Sequence, residues 1–193
     1  MRTTVIVALC LTWLASGRAQ EETLAGEGSE SGGFGGPVLK ITPIRGKTGI
    51  LIGGRGGWII NHSFILGGGG YGLASNIGAA TPGPGGEPYV DFGYGGVELE
   101  YVHNWDKLMH WSVGLLVGGG GVGYKNENGS SGQYSKGFFT MEPWVNANMN
   151  VTHFFRISIG VSYRWVTGSD SPAASNADLS GVAGILLLRF GSF

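Results

Sequence analysis

FRISIGVSYRW (residues 155–165) alternates strictly between two faces. Phe155, Ile157, Ile159, Val161, Tyr163 and Trp165 form one of them; Arg156, Ser158, Gly160, Ser162 and Arg164 form the other. A period of two over such a run specifies a β-strand, here with one face wholly apolar and the other wholly polar or small. The preceding segment obeys the same rule. Phe139, Met141, Pro143, Val145, Ala147, Met149 and Val151 oppose Thr140, Glu142, Trp144, Asn146, Asn148 and Asn150. Both segments match the roughly 9–11 residues of a tilted strand that crosses a bilayer.

Carried outward, this reading finds eight strands, at residues 34–44, 48–60, 63–75, 88–102, 108–124, 137–151, 154–166 and 178–193. Their connections alternate in kind. Asn61–His62, His103–Lys107 and Thr152–His153 are short, whereas NIGAATPGPGGEP, KNENGSSGQYSK and TGSDSPAASNAD are long and rich in Gly, Pro, Ser and Asn. Short turns at one end and long loops at the other are the parity of an up-and-down outer-membrane barrel. The connection near RGKT, short on the long-loop side, is the exception.

Aromatic residues mark both edges of this pattern. Trp58, Phe64, Tyr101, Trp105, Trp111, Phe154 and Phe155 stand beside the short turns; Tyr71, Tyr89, Tyr94, Tyr124, Phe138, Phe139, Tyr163 and Trp165 stand beside the long loops. Amphipathic rings favour both water–lipid boundaries. Trp58, Tyr71, Tyr101, Trp111, Tyr124, Tyr163 and Trp165 are therefore expected at the membrane interfaces. A soluble barrel would invert the pattern, with charges outside, but only 13% of the chain is charged, against roughly a quarter in a typical soluble domain.

The same phase explains the glycine-dense stretch GGRGGWIINHSFILGGGGYGL (residues 53–73). It reads as a hairpin turning at Asn61–His62, with glycine in its strands. HSFILGGGGYG echoes HFFRISIGVSYR, each with His, an aromatic two residues on and Gly seven on, which directs Phe64 and Leu66 outward and Ile65 and Tyr71 inward. Glycine suits a narrow, strongly curved barrel. Phosphate binding lacks its context: no helical pattern follows any glycine cluster, and Gly46–Thr48 has Ile41 where a P-loop needs its first glycine.

The ends are different material. Arg2, the apolar TVIVALCLTWLA and the small residues before Gln20 predict a secretory signal peptide over 1–19. Cys10 lies inside that apolar run, so the mature chain offers no disulfide or thiolate site. Residues 20–33, acidic and rich in glycine without periodicity, are expected to be a disordered leader, and 34–193 the barrel. A net charge of −1 carries no basic patch for nucleic acid.

With these features and the ending GILLLRFGSF, the chain resembles the small eight-stranded outer-membrane β-barrels of the OmpA/OmpX type. The resemblance implies an all-β, antiparallel, up-and-down transmembrane barrel in a Gram-negative outer membrane. It implies lipid bilayer and lipopolysaccharide as surroundings, assembly by the barrel-assembly machinery, and a monomer. Such barrels end in an aromatic assembly signal, for which Phe190 and Phe193 are candidates; Phe190 keeps Arg189 inward.

The inward faces gather Lys40, Arg55, Glu98, Glu100, Glu142, Arg156, Arg164 and Arg189. Eight strands enclose little more than side chains fill, so these charges are expected to pair as a plug; a narrow ion path is the alternative. His110 and Ser112 share a strand face, and a hairpin folded about Trp105 would bring Glu100 to His110 and Glu98 to Ser112. Carboxylate, imidazole and hydroxyl are the parts of an activated serine, and the His-x-Ser pair is similar to that of outer-membrane lipid A deacylases. No oxyanion donor accompanies it, so the expected function is non-catalytic: structural, or presenting a surface, without a wide pore. His62, His103 and His153 occupy separate turns. Zinc needs ligands within about 2.1 Å of one point, and alternate turns lie roughly 10 Å apart, so no metal or other cofactor is expected. The long loops offer one large aromatic, Tyr134, and announce no specific receptor.

Overall fold

A computed structural model describes residues 31–78, 89–125, 136–169 and 173–193. Strands β1 (Ser31–Ile44), β2 (Lys47–Ile60), β3 (Phe64–Leu73), β4 (Tyr89–His103), β5 (Met109–Lys125), β6 (Lys136–Asn150), β7 (Phe155–Thr167) and β8 (Gly181–Ser192) close in sequence order into one antiparallel barrel. Closure is made by β1 and β8, in register from Gly33–Ser192 to Ile41–Gly184. Every strand thus has two hydrogen-bonded neighbours, and the barrel has no free edge.

Alternation sets the two faces. Along β6 the odd-numbered residues from Phe139 to Met149 are exposed and the even-numbered ones from Phe138 to Asn148 are buried. The exposed outer face carries Ile52, Val97, Leu99, Ile159, Val182 and Trp165, each more than half exposed. The tight connections use left-handed backbone: Arg45 and Gly46 in the two-residue turn between β1 and β2, Asn61 and His62 in the three-residue turn between β2 and β3.

Apolar side chains close both ends of the interior. At the long-loop end Ile44, Leu51, Ile77, Phe92, Val122 and Val166 are buried with Leu179 of α1 (Asn176–Leu179). At the short-turn end Phe34, Ile59, Ile65 and Val102 pack with Trp105 and Phe193. The polar side chains lie between these two caps.

Some boundaries differ from expectation. β1 starts at Ser31, ahead of residue 34, because Ser31–Gly33 pair with Trp58–Ile60. β8 starts at Gly181, since residues assigned to its first turn of strand form α1 instead. Ser175 caps that helix through a capping box, accepting from Asp178 N while its own N–H donates to Asp178 Oδ2 at 2.9 Å. These hydrogen bonds, above all the one from the Ser175 backbone, hold the Asp178 carboxyl below its ordinary value. A depressed carboxylate stabilises the folded state above its unfolded pKa, and that contribution disappears as the pH falls through the lower folded value. The α1 cap is therefore expected to stay docked at neutral pH and loosen in acid below about pH 4, and Asp178→Ala should loosen it by about 1 kcal/mol at neutral pH and add little in acid. NMR of the Leu179 methyl groups across pH checks both; a signal insensitive to acid and to the substitution would refute them.

Candidate functional site

The interior polar column is built in two layers. In the layer nearer the long loops, Lys40 Nζ lies 2.9 Å from Glu142 Oε2, both side chains almost fully buried. Tyr94 donates to the same carboxylate at 2.6 Å, and Ser162 donates to its other oxygen. Lys40 also sits 3.5 Å from the Tyr71 ring centroid, a desolvated cation–π contact. Tyr71 in turn donates to Glu98 at 2.7 Å. Gly69 makes room for this pair, because a Cβ there would lie 2.5 Å from Glu98 Oε1 and 2.7 Å from Tyr71 Oη.

In the second layer Arg55 bridges two carboxylates, Nε to Glu98 at 2.7 Å and a terminal nitrogen to Glu100 at 2.9 Å. Arg189 takes the other Glu100 oxygen at 2.6 Å and donates from Nε to Ser158 at 2.9 Å. Ser158 donates onward to Asn148, and Asn148 to Ser112. Trp144 packs under the Arg55 guanidinium, 4.4 Å from it. Its indole fills the place left by Gly114, directly across β5–β6, where a Cβ would come within 2.2 Å of the ring. Pairing throughout the column answers the cost of desolvating its charges.

Of the eight inward charges, Lys40, Arg55, Glu98, Glu100, Glu142 and Arg189 meet in this network. Arg164 and Arg156 lie at its two ends. Arg164, fully buried, donates from Nε to the Leu179 carbonyl at 2.7 Å and so ties α1 to β7. Arg156 lies at the short-turn mouth, 4.0 Å from the Phe193 ring. Five cations face three carboxylates, an excess evident only once the faces are assigned. The hydroxyls and amides that complete the network, Ser158, Ser162, Asn148 and the tyrosines, were not singled out from sequence. Their inward phase was the available signal.

Two expectations need correction. Tyr71 does not stand at an outer boundary: it is 5% exposed and points inward, as do Tyr94 and Phe138. Their rings fill the lumen and their strand phase decides it. Trp58, Tyr101, Trp111, Tyr163 and Trp165 are exposed on the outside; the Tyr124 side chain falls outside the described residues. Next, the β4–β5 hairpin is centred on Lys107, not Trp105, so Glu100 faces Gly114 and Glu98 faces Leu116. His110 Nδ1 is 3.2 Å from the Lys107 carbonyl, and Ser112, a diagonal neighbour of Glu100, accepts from Asn148 Nδ2 at 3.0 Å. The imidazole does not stand between carboxylate and hydroxyl, so the relay needed to activate a serine is not assembled. The two terminal aromatics, Phe190 and Phe193, take different places, with Arg189 inward as expected. Phe190 faces outward and stacks on Phe155 at 4.9 Å, leaving Arg189 inside, whereas Phe193 follows the strand and folds over the mouth against Phe34.

The turn histidines pack on aromatics: His62 on Trp105 at 4.0 Å, and His103 on Trp111 at 4.9 Å. Among the described residues no three His, Cys, Asp or Glu side chains gather as a metal site.

Fold and interior together define a closed eight-stranded barrel with the architecture of the small outer-membrane barrels. Neisserial surface protein A shares that fold with a TM-score of 0.53 at 12% identity, over 86% of this chain and 98% of that one. The N-terminal barrel domain of Pseudomonas aeruginosa OprF does so with a TM-score of 0.53 at 10% identity, over 83% and 96%. No protein-family model matches the chain, and no curated protein matches it in sequence.

Proposed function

We propose that the chain is an integral outer-membrane β-barrel, monomeric and closed, with a structural or surface-presenting role and no catalysis. The observation that carries this reading is the separation of the two faces. Away from the strand ends, no outward position of the described strands bears a charge, while large apolar side chains stand exposed on all eight. A monomeric soluble protein rarely exposes an apolar patch beyond a few hundred Å²; a bilayer is the solvent that such a belt suits. Against a wide pore stand the two apolar caps and the cross-linked charges between them. Against catalysis stands the register that carries Glu100 away from His110 to face Gly114, while the His110 ring turns to the Lys107 carbonyl. Lipopolysaccharide would surround the long-loop end, and the barrel-assembly machinery would insert the chain. The loops at that end are then what the cell surface displays.

Electrophoresis of outer-membrane fractions, with and without boiling, tests the assignment. The expected result is a protein in that fraction whose mobility changes on heating. A soluble protein of constant mobility would overturn the reading.

A further inference from the structure

The surplus positive charge of the interior has two addresses, Arg164 at one end and Arg156 at the other, and Arg156 lines a pocket. Arg164 is sealed beneath α1, on a carbonyl. Arg156 is half-buried and lines a cavity of about 580 Å³ at the short-turn mouth. Among the described residues no carboxylate pairs with it; one face of its guanidinium is covered by Phe193. Its cross-strand neighbour Arg189 adds a second positive charge, and the carboxylate that serves Arg189 is already shared with Arg55. A partly buried guanidinium beside another cation needs an anion, and among the described residues none is paired with it.

The other strand neighbour of Arg156 is Asn150, in register with it and lining the same cavity. Asn150 Nδ2 donates to the carbonyls of Trp105 at 3.0 Å and Lys107 at 2.9 Å. That fixes the amide orientation and leaves Oδ1 buried with no hydrogen-bond partner. Such an acceptor costs free energy until a donor reaches it. The cavity thus asks for one anionic group and one O–H or N–H, presented to paired residues of neighbouring strands. A carboxylate at neutral pH offers only acceptors. A hydrogen phosphate group offers both.

We propose that this pocket binds a protonated phosphate group, with Arg156 taking the anionic oxygens through charge-assisted hydrogen bonds and Asn150 Oδ1 accepting from the P–OH. The phosphate is either free or the headgroup of a lipid, since the mouth adjoins the outer apolar belt. Asp106 at the rim does not fill the role of counter-ion: it is exposed and its carboxylate lies 3.3 Å from Lys107 Nζ.

Calorimetric titration of the purified, folded chain in detergent, at low ionic strength and about pH 6, where such groups keep a proton, tests this. The probes are inorganic phosphate, dihexanoylphosphatidic acid and acetate, each alone. Saturable binding of a phosphate probe is expected, with acetate and Arg156→Gln each weaker by about tenfold or more and Arg156→Lys retaining part of the affinity. Binding of both phosphate probes identifies free phosphate as sufficient; binding of the lipid alone identifies a headgroup site. No saturable binding of either, or Arg156→Gln binding like the unaltered chain, overturns the proposal. Heat-dependent gel mobility verifies that each variant is folded. Should Arg156→Gln not fold, the phosphate-to-acetate comparison decides: equal affinities overturn the proposal.

Discussion

Glu142→Gln is expected to lower the unfolding free energy by about 3–5 kcal/mol, although it changes shape hardly at all. The amide oxygen still accepts from Tyr94 or Ser162, so the loss does not come from those hydroxyls. It comes from Lys40, whose ammonium is 4% exposed among aromatic rings and loses the carboxylate at 2.9 Å that offsets its burial. Removing one member of a buried pair leaves the full desolvation cost of the other. Lys40→Met combined with Glu142→Gln removes that orphaned charge and is expected to recover most of the loss. Urea unfolding of the four chains in lipid vesicles, followed by gel mobility, gives the complete cycle. Additive single and double losses would show that the pair is not coupled, contrary to the geometry.

The second large effect concerns the outside. Ile159→Arg, at a position 62% exposed in the middle of β7, is expected to cost about 2–4 kcal/mol in a bilayer. The same substitution at Phe154, beside the short turn, should cost about 0–1 kcal/mol, because an arginine there reaches headgroups and water. The depth dependence is the informative part. In a soluble protein two exposed positions would tolerate arginine alike. Equal, negligible losses at both sites would therefore count against membrane insertion, whereas a large loss at Ile159 alone maps the centre of the apolar belt.

Most of the architecture was legible because one physical rule governs it. Period-two alternation fixes which face each residue takes, so Arg156–Arg164 and Thr140–Asn148 could be assigned inward from sequence. What that rule does not fix is register. Moving the centre of the β4–β5 hairpin from Trp105 to Lys107 keeps every face unchanged yet shifts each cross-strand neighbour, and that shift dissolved the serine relay. Aromatics near strand ends were ambiguous for another reason: Tyr71 and Trp165 both lie beside long loops, and only phase separates a ring that fills the lumen from one that meets the surroundings. For Tyr71 the repeat of HSFILGGGGYG gave the correct phase while its position near a loop suggested the opposite. The α1 cap had its own sign, Ser175 three residues before Asp178, overshadowed by the apolar run that follows. The surplus of cations could have been counted once the faces were known. The orphaned Asn150 oxygen depends on a turn conformation that no pattern encodes.

One row of the wall contains almost no side chain. Gly54, Gly70, Gly95 and Gly119 stand in register across β2 to β5 before Phe139 continues the row on β6. At that level the outer surface from β2 to β5 is backbone alone, and no outward side chain in the row buttresses one strand against the next. Mechanical load around the circumference is therefore unequally shared. The arc from β6 to β8, ribbed by Phe139, Met141, Val161, Tyr163 and Trp165, is the stiff half, and the bare arc is where the cross-section flattens when squeezed.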